Sequence, residues 1–530
     1  MAQSRIHVSM AGFAIFLVIN ASQAWGGVFP FLPMGFQTDE VTLIFYLTQA
    51  LSFFATFAAS TVGAYRFPGA ARNMMVGIVT ALVFAGSVCV IAAMYAPALV
   101  MLLVVLGGLL LGVGCAGMFM LWQRYFSSIP PSEGNFRLVV GTALASLLYF
   151  GLYLIPTALT AFLVPLVLLP LSSLALTLSV REMTFDQPMF EDIPREHPQV
   201  YSRVVHDTWR CALGAGAIAF TSGLARGVAL LDADVNAVVN ISSMLGSLIA
   251  AVGILLIWRA FTVRFGLDSV FRALFPILVT GLLFFPFMQS GASLNLFAGI
   301  AYMAFSLIIV VLMMQCAQIS RDRGVNPVFS YGLLGSVAYG AQSVGFLMGW
   351  LLYDGLLPGV GSVEFLSLLA LYVLGMALFA SLRLFAAPSD AKVANKIELI
   401  RLRPAQTGNA ADGHPAKEAA SSGVAGASPG KESASEQPAR NRNTRDDGRE
   451  FTDRLSKQCF MLQGEYGLTN RETEVMEAIA RGLSMASIAE ELFISENTVR
   501  THSKHIYVKL DIHSRQELGS MLRNVNVDFS

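Results

Sequence analysis

Twelve apolar stretches, each about as long as a membrane-spanning helix, fill the first 386 residues and constrain the fold more than any other feature. The hydrocarbon core of a bilayer is about 30 Å thick, and a helix needs about 20 apolar residues to cross it. Short polar or Pro/Gly-containing breaks separate the stretches. We therefore predict twelve transmembrane helices, over residues 8–28, 41–64, 74–95, 98–122, 138–156, 159–180, 211–231, 235–258, 271–289, 293–318, 329–353 and 363–386.

Charged residues are distributed unevenly along the 530-residue chain. Residues 1–380 contain no lysine, 15 arginines and 15 acidic residues, whereas residues 381–530 contain 20 basic and 20 acidic residues. Only 13% of the whole chain is charged, against about 25% in a typical soluble protein. This composition excludes a simple soluble enzyme and excludes a chain that is disordered throughout.

The positions of the arginines predict the orientation of the helices. Fourteen of the 15 arginines before residue 381 lie ahead of the first stretch or in alternate gaps, and the opposite gaps contain acidic residues but no basic ones. Because Lys and Arg in short loops are retained on the cytoplasmic side, both termini are predicted to be cytoplasmic. The first stretch is followed by further spans, so we interpret it as a permanent helix and not as a removed signal peptide. We expect a multi-pass membrane protein with both termini in the cytoplasm.

The longest of the inside gaps, 181–210, separates the first six stretches from the last six. The gap between the second and third stretches reads Gly-Ala-Tyr-Arg-Phe-Pro-Gly-Ala-Ala-Arg over residues 63–72. This 6 + 6 layout and this loop resemble the major facilitator transporters, although the acidic residue expected in the loop is missing. The resemblance implies two packed six-helix halves with a central cytoplasmic loop.

Arg226 is the one charged residue well inside a predicted span. It lies 16 positions after Arg210, or roughly 24 Å along a helix, which places it toward the outer leaflet. One interpretation is that it extends to the outer interface or pairs with Asp232 or Asp234. The other is that it faces a central cavity and binds an anionic ligand. Without an acidic residue deep in a span, a proton-coupled carrier is disfavoured.

Several amides and glycines in the spans have two possible roles. Amide side chains can line a cavity or hold helices together by hydrogen bonds; the candidate ligand contacts are Gln23, Gln49, Asn240 and Gln342. The pairs Gly108/Gly112 and Gly345/Gly349 have the spacing that lets helices approach closely. We expect these glycines to serve helix packing.

Residues 387–450 differ sharply from the apolar region. They are rich in Ala, Ser, Gly and Pro, and residues 388–450 mix ten basic with nine acidic residues. Such a segment cannot bury enough apolar surface to offset the entropy of ordering. The sequence therefore predicts a disordered linker that tethers a C-terminal module.

The module over residues 465–530 has clear helix start and stop signals. Thr469 followed by Glu472 is a capping box, and Gly482 is a helix stop, which together predict a helix over 470–481. The same reasoning predicts a short helix capped by Ser484, a third helix from Ser495 to Leu510, and a fourth from Arg515 to about Asn524. Two short helices joined by a tight turn form a helix-turn-helix.

This module resembles the four-helix DNA-binding domain of LuxR-type response regulators. The residues that match the family's spacing are Leu468, Thr469, Arg471, Glu472, Glu474, Val475, Gly482, Ser484, Ile488, Ala489, Ile494, Ser495, Thr498, Val499, His502, Ile506, Tyr507, Lys509 and Leu510. The position after Leu492, usually glycine in the family, is Phe493. The resemblance implies binding to double-stranded DNA, with the 495–510 helix in the major groove.

Helix periodicity divides the recognition helix into two faces. Val499, His502, Ile506 and Leu510 recur at three- to four-residue spacing and should face the core. By resemblance to the family, the residues that contact base edges are Arg500, Thr501 and Lys504. The residues placed to contact phosphates are Ser495, Asn497, Thr498 and Lys509.

The charge of the module bears on how it binds DNA. Residues 465–530 contain seven basic and ten acidic residues, so the domain has no general basic surface. Affinity should then depend on two copies binding two half-sites. The last helix of the family usually forms the dimer contact, which implies a homodimer through residues 515–524.

The sequence thus predicts an all-α protein: a twelve-helix, major-facilitator-like bundle over 1–386 followed by a four-helix LuxR-type domain. It contains no receiver domain, kinase motif, P-loop or metal-ligand cluster, so we expect no enzymatic activity, cofactor or metal. The first hypothesis for its function is a transcription regulator whose membrane domain senses a small molecule. The alternative is a secondary transporter that carries a regulatory DNA-binding tail.

Overall fold

The computed structural model describes residues 7–22, 38–72, 74–183, 187–191, 193–195, 198–229, 233–260, 263–283, 290–353, 363–383, 397–399, 454–483, 485–492 and 496–524. These residues are almost entirely helical, in agreement with the predicted fold class. They form a large hydrophobic bundle up to residue 383 and a small C-terminal domain with a hydrophobic core of its own.

The first half of the bundle contains six apolar spans. Its helices are α1 (Val8–Asn20), α2 (Asp39–Arg66), α3 (Pro68–Arg72), α4 (Val76–Ala93), α5 (Val100–Ser128), α6 (Pro131–Leu152), α7 (Thr157–Leu163) and α8 (Leu169–Arg181). A short 3₁₀ turn, Pro97–Leu99, precedes α5. The sixth span consists of α7 and α8 joined by a π-helical segment, Val164–Leu168, which contains Pro165; proline disturbs regular α-helical hydrogen bonding there.

The second half contains the other six spans. Its helices are α9 (Pro188–Glu191), α10 (Pro198–Ala229), α11 (Ala233–Ala260), α12 (Leu267–Leu283), α13 (Ser290–Arg323), α14 (Pro327–Tyr353) and α15 (Val363–Arg383). The break between α13 and α14 is encoded locally. Gly324 adopts φ +64° after α13, and the Asn326 side chain accepts a hydrogen bond from Val328 N at 2.9 Å as α14 begins.

Each of the twelve predicted spans coincides with one of these helical segments. Within the described residues, eight helices are long and apolar enough to cross a membrane, and the apolar stretches Val8–Asn20, Ser269–Leu283 and Phe365–Ala380 are shorter. The seventh span is longer than predicted, because α10 begins at Pro198, inside the expected central loop. Residues 200, 201, 204 and 208 are buried on one side of this extension, so its amphipathic spacing extends the helix beyond the apolar stretch.

The two halves contact each other through pairs of helices. Helix α2 packs against α14, and α6 packs against α11. Near one end of the bundle, Gln123 Nε2 on α5 donates to Met313 O on α13 at 3.1 Å. At that same end, Arg321 Nη1 donates to Phe126 O at 3.0 Å and to Ile129 O at 3.3 Å. These hydrogen bonds join the halves at the carboxyl ends of α5 and α13.

Helices α10 and α14 pack more closely than ordinary side chains would allow. A Cβ atom on Gly223 would lie 2.1 Å from Gln342 O, and one on Gly345 would lie 2.2 Å from Phe220 O. Gly349 similarly faces Leu224 O, at 2.4 Å. On α5, Gly108 and Gly112 contact α2 in the same way. The predicted packing role of both glycine pairs is confirmed within a single chain.

One small sheet departs from the all-helical pattern. Strand β1 (Val263–Phe265), between α11 and α12, pairs antiparallel with β2 (Ile397–Leu399) in register Val263 to Leu399. Strand β2 belongs to the segment predicted as a disordered linker, so three of its residues are ordered by backbone pairing. The other residues of 387–450 lie outside the described part of the chain.

The C-terminal domain has five described helices. They are α16 (Arg454–Tyr466), α17 (Asn470–Ala480), α18 (Met485–Glu491), α19 (Glu496–Leu510) and α20 (Arg515–Asn524). The last four agree with the predicted helices. Helix α16 was not expected; Leu455, Cys459 and Leu462 recur along it at three- to four-residue spacing and are buried in the domain core.

Candidate DNA interface and membrane cavity

Helix α17 begins with the predicted capping box. Thr469 Oγ1 accepts from Glu472 N at 3.2 Å, and Glu472 Oε2 accepts from Thr469 N at 2.8 Å. After the helix, Gly482 adopts φ +97°, a left-handed conformation that favours glycine. Both sequence signals for the first helix of the domain are confirmed.

Helix α19 has one buried face and one exposed face. Val499, Ile506 and Leu510 are buried in the domain core, as predicted, and Ser503 is buried beside them. His502 is only partly buried. The three predicted base-edge residues share the opposite, exposed face of the helix; they are Arg500, Thr501 and Lys504. The structure thus brings together the side chains that sequence reasoning selected for contact with bases.

The predicted phosphate contacts have different surroundings. Thr498 is half-buried. Ser495 lies outside the described residues, as does the side chain of Asn497. Lys509 Nζ donates to Glu472 Oε2 at 2.7 Å and to Gly467 O at 3.3 Å. In this structure Lys509 therefore joins the end of α19 to the start of α17, a role that sequence spacing did not indicate.

Glu472 is the electrostatic centre of that junction. Burial alone would raise the pKa of its carboxyl group, but hydrogen bonds from Lys509 and Thr469 outweigh burial and lower the pKa to about 2. The carboxylate is only 4% exposed. Glu472 is consequently charged at neutral pH and holds the capping box and the recognition helix together.

A second basic residue orients the short helix α18. Arg471 Nη2 donates to Leu492 O, just after α18, and Arg471 Nη1 pairs with Glu474 Oε2 at 2.6 Å. Arg515 Nη2, at the start of α20, donates to Ile479 O at 2.5 Å near the end of α17. These bonds fix α18 and α20 against α17.

Residues 467–522 match the model of the family described as bacterial regulatory proteins, luxR family. The matched segment contains α17 to α20, with the exposed face of α19 described above. This chain carries a LuxR-family DNA-binding domain.

Curated relatives match only a short part of this chain. The nitrate/nitrite response regulator protein homolog of Haemophilus influenzae is 52% identical over 48 residues, which is 9% of this chain and 23% of that protein. The oxygen regulatory protein NreC of Staphylococcus haemolyticus is 47% identical over 51 residues, 10% and 24% of the two chains. The uncharacterized response regulatory protein YgeK of Escherichia coli is 39% identical over 75 residues, 13% and 51%. The match thus spans between about a quarter and about half the length of these relatives.

The LuxR domain touches the bundle through Arg481, the residue that ends α17. Arg481 Nη2 donates to Glu477 Oε1 at 2.5 Å and to Ser456 Oγ at 3.0 Å within the domain. Its Nη1 donates to Asp322 O at 2.8 Å, at the end of α13. The adjacent Arg323 pairs with Asp207 of α10, Nη2 to Oδ2, at 2.7 Å. The recognition face of α19 stays exposed in this arrangement.

A cavity lies between the two halves of the bundle, with about 480 Å³ of empty space that is partly continuous with its surroundings. Side chains of α1, α5 and α6 line it from the first half, and side chains of α11, α13 and α14 line it from the second. Most of the lining is apolar. Its polar members are Asn20, Thr142, Ser247, Ser306 and Tyr339.

Arg226 is completely buried, so it does not extend to the outer interface. Its Nη1 donates to Asn240 Oδ1 at 3.0 Å, and its guanidinium carbon lies 5.1 Å from the centroid of the Tyr46 ring. Its Nε and Nη2 have no hydrogen-bond partner among the residues that the structure describes. No acidic side chain of the described residues pairs with Arg226; Asp232 and the side chain of Asp234 lie outside them.

The other candidate ligand contacts fall in three different places. Asn240 binds Arg226 directly. Gln342 Nε2 lies 3.4 Å from Ser222 Oγ on α10, one turn from Arg226. Gln49 is buried where α2 packs against Gly108 and Gly112, and it does not line the cavity. Gln23 lies outside the described residues.

Solved transporter structures resemble the bundle. A bacterial homologue of iron transporter ferroportin, in an outward-facing state with soaked iron, is 14% identical, covers 71% of this chain and 98% of its own, and has a TM-score of 0.48. The Escherichia coli fucose:proton symporter FucP is 14% identical, covers 71% and 97% of the two chains, and has a TM-score of 0.44.

Proposed function

We propose that this chain is a membrane-embedded bacterial transcription regulator, in which the helical bundle senses a small molecule and the LuxR domain binds promoter DNA. The observation that carries the proposal is the hydrogen bond from Arg481 to Asp322 O, at 2.8 Å. It joins the DNA-binding domain to helix α13. Arg321, next to Asp322, bonds to the end of α5 in the other half of the bundle. A change in how the halves meet would therefore act on the attachment of the LuxR domain.

A ligand can drive such a change only if it binds two states of the bundle with different affinity. The cavity contacts helices of both halves, so a molecule bound there favours one relative position of the halves over another. The hydrogen bonds from α13 to α5 lie at the end of the bundle where the LuxR domain is attached. We infer that ligand binding alters how the LuxR domain is presented to DNA.

We propose that Arg500, Thr501 and Lys504 read base edges, since all three lie on the exposed face of α19. Ser495, Asn497, Thr498 and Lys509 remain the proposed phosphate contacts. Two copies would bind two half-sites through α20, whose Leu518 and Leu522 face the domain core and leave the other side of the helix for a partner. We place the protein in the bacterial cytoplasmic membrane with both termini inside, which puts the LuxR domain on the side of the DNA. It is not proposed to be an enzyme or to need a cofactor.

RNA sequencing tests the proposal in cells that carry the intact gene, a deletion, or the Arg500→Ala/Lys504→Ala double variant. Each strain is grown with and without a panel of small molecules. We expect one set of transcripts to respond to a compound in the intact strain only. The matched control is Glu465→Ala, an exposed residue of α16, which should behave as the intact gene. A compound response that survives in the double variant would contradict the proposal.

One observation favours a second function, a secondary transporter with a regulatory tail. The cavity between two six-helix halves is the arrangement that a carrier uses to enclose its substrate. Uptake of a labelled compound into vesicles, unaffected by the double substitution in α19, would support transport. A transcriptional response without uptake would support sensing alone.

A further inference from the structure

We propose that Arg226 and the cavity form a single binding site for a small organic acid. The carboxylate pairs with Arg226, and the apolar body of the acid occupies the cavity. This inference rests on the proposed function to the extent that the bundle takes up a small molecule. It adds the chemical class of that molecule and the residue that selects it.

Arg226 has no acidic partner among the described residues. A guanidinium has five N–H donors. Here Arg226 Nη1 donates to the neutral amide of Asn240, and the guanidinium lies over the aromatic ring of Tyr46. Two nitrogens, Nε and Nη2, are buried without a hydrogen-bond partner in the described part of the chain. Burying an ionised group in a low-dielectric interior is costly unless an opposite charge accompanies it. A carboxylate supplies that charge and can accept two parallel hydrogen bonds from a guanidinium.

The position of Arg226 relative to the cavity follows from its neighbours on α11 and α13. Asn240, which binds Arg226, precedes the cavity residue Met244 by one turn on α11. On α13, which runs parallel to α11, Tyr302 precedes the cavity residue Ser306 by one turn. Each offset is about 6 Å along the helix axis. On both helices the residue near Arg226 lies beyond the same end of the cavity lining. The surroundings of Arg226 therefore form one end of the cavity.

Helix α14 also places a polar residue beyond this end of the cavity, although the helix runs in the opposite direction. It runs antiparallel to α13, and Gln342 follows the cavity residue Tyr339 by three positions. Gln342 is joined to α10 at Ser222, one turn before Arg226. Three helices therefore place polar groups at the same level, about 4.5–6 Å beyond the cavity lining.

Further polar groups surround Arg226 and the cavity. The Tyr302 hydroxyl interacts with Tyr46 and Gln342 and lies close enough to Arg226 to interact with its charge. Asn20 Oδ1, which lines the cavity, is buried without a partner. Buried polar groups in proteins are usually satisfied. An acid whose carboxylate pairs with Arg226 would accept hydrogen bonds from its Nε and Nη2.

The lining of the cavity determines the rest of the ligand. Phe13, Leu17, Phe119, Ile309 and Val310 are apolar, and the described lining contains no charged side chain. A compact apolar body gains free energy by burying its surface against this lining. An inorganic anion or a sugar would leave the surface uncovered. The site therefore fits a monoanionic acid with a hydrocarbon body.

Titration calorimetry on the full-length chain in lipid nanodiscs tests the inference. The probes are benzoate, 3-phenylpropionate and octanoate, each compared with its neutral amide; octanoate represents a lipid-derived acid and the other two are water-soluble acids. We expect at least one acid to bind at least 10-fold more tightly than its amide. Arg226→Gln should reduce the affinity for that acid to the level of the amide.

Two further variants keep the test decisive. Ser306→Phe, which fills the cavity, should weaken the acid and the amide equally. Arg137→Gln removes an arginine that pairs with Glu133 at 2.9 Å, away from the cavity, and should leave binding unchanged. If Arg226→Gln does not fold, Arg226→Lys and the comparison of acid with amide in the unaltered chain decide the matter. Equal affinity for acids and amides, or no binding of any of the three acids to folded protein, would overturn the inference.

Transcription separates this inference from the proposed function. If neutral compounds change transcripts while no acid binds, the inference fails and the regulator remains. If an acid binds through Arg226 but transcripts never respond, the site is supported and the regulatory function fails.

Discussion

Replacing Glu472 by Gln should remove most of the acid sensitivity of the LuxR domain. In the folded domain the Glu472 carboxylate accepts from Lys509 Nζ at 2.7 Å and from Thr469 N at 2.8 Å. These bonds lower its pKa from an ordinary value of 4.5 to about 2. A carboxyl group whose pKa is lower in the folded state stabilises the fold above the unfolded pKa, and this stability is lost as the pH falls.

The stability that the Glu472 carboxylate contributes can be worked out from the lowering of its pKa. A difference of about 2.5 pKa units corresponds to about 3.4 kcal/mol at 1.36 kcal/mol per unit. Because the Lys509 side chain is 35% exposed, solvent weakens the pair, and we expect about 2–3 kcal/mol. This stability should be present above about pH 4.5 and should disappear between about pH 4.5 and pH 2.

The assay is urea unfolding of residues 451–530 at a series of pH values from 2 to 7. The fragment is suitable because the domain has a hydrophobic core separate from that of the bundle. Glu472→Gln should lower stability at pH 7 and flatten the loss below pH 4.5. Lys509→Met should reduce the same loss in part, and Glu465→Gln, at an exposed position on α16, should leave it unchanged. An unaltered pH profile in Glu472→Gln would refute the reasoning.

Two other predictions concern the bundle and its attachment. Gly223→Leu should destabilise the detergent-solubilised chain by about 3 kcal/mol or prevent folding, because even a Cβ there would lie 2.1 Å from Gln342 O. The control is Gly253→Leu, at a position where a Cβ meets no atom within 4 Å. Equal melting temperatures of the two variants would contradict the prediction. Arg481→Ala removes a charged hydrogen bond to Asp322 O, worth about 1.5–3 kcal/mol. Reporter transcription without ligand should then change about 10-fold or more, and unchanged basal transcription would refute a role for this contact.

Local sequence signals predicted the elements of this fold well. The positions of the twelve helical segments follow from the apolar stretches, and eight of these helices are long and apolar enough to cross a membrane. The start of α17 follows from Thr469 and Glu472, because a capping box acts within four residues. The exposed and buried faces of α19 follow from periodicity alone. In each case the interacting residues are close together in the sequence.

What the sequence did not predict depends on contacts between distant residues. Lys509 and Glu472 are 37 positions apart, and nothing local indicates that Lys509 joins α17. Arg226 was identified as unusual, but its burial depends on neighbours from α2 and α11, Tyr46 and Asn240. Helix α16 could have been found from the spacing of Leu455, Cys459 and Leu462, which the adjacent linker composition obscured.

The close packing of α10 against α14 holds α10 near its carboxyl end, so a tilt of α10 would pivot about that end. The glycine contacts at Gly223 and Gly227 lie beside Arg226, while Asp207 lies 19 residues away, at about 28 Å along the helix. A tilt of α10 by about 5° about these glycine contacts barely displaces Arg226 but moves Asp207 by about 2.5 Å. Asp207 pairs with Arg323 at 2.7 Å, and Arg323 follows the residue that holds the LuxR domain. Under the proposed function, small adjustments around a ligand would thereby be amplified where the bundle meets the LuxR domain.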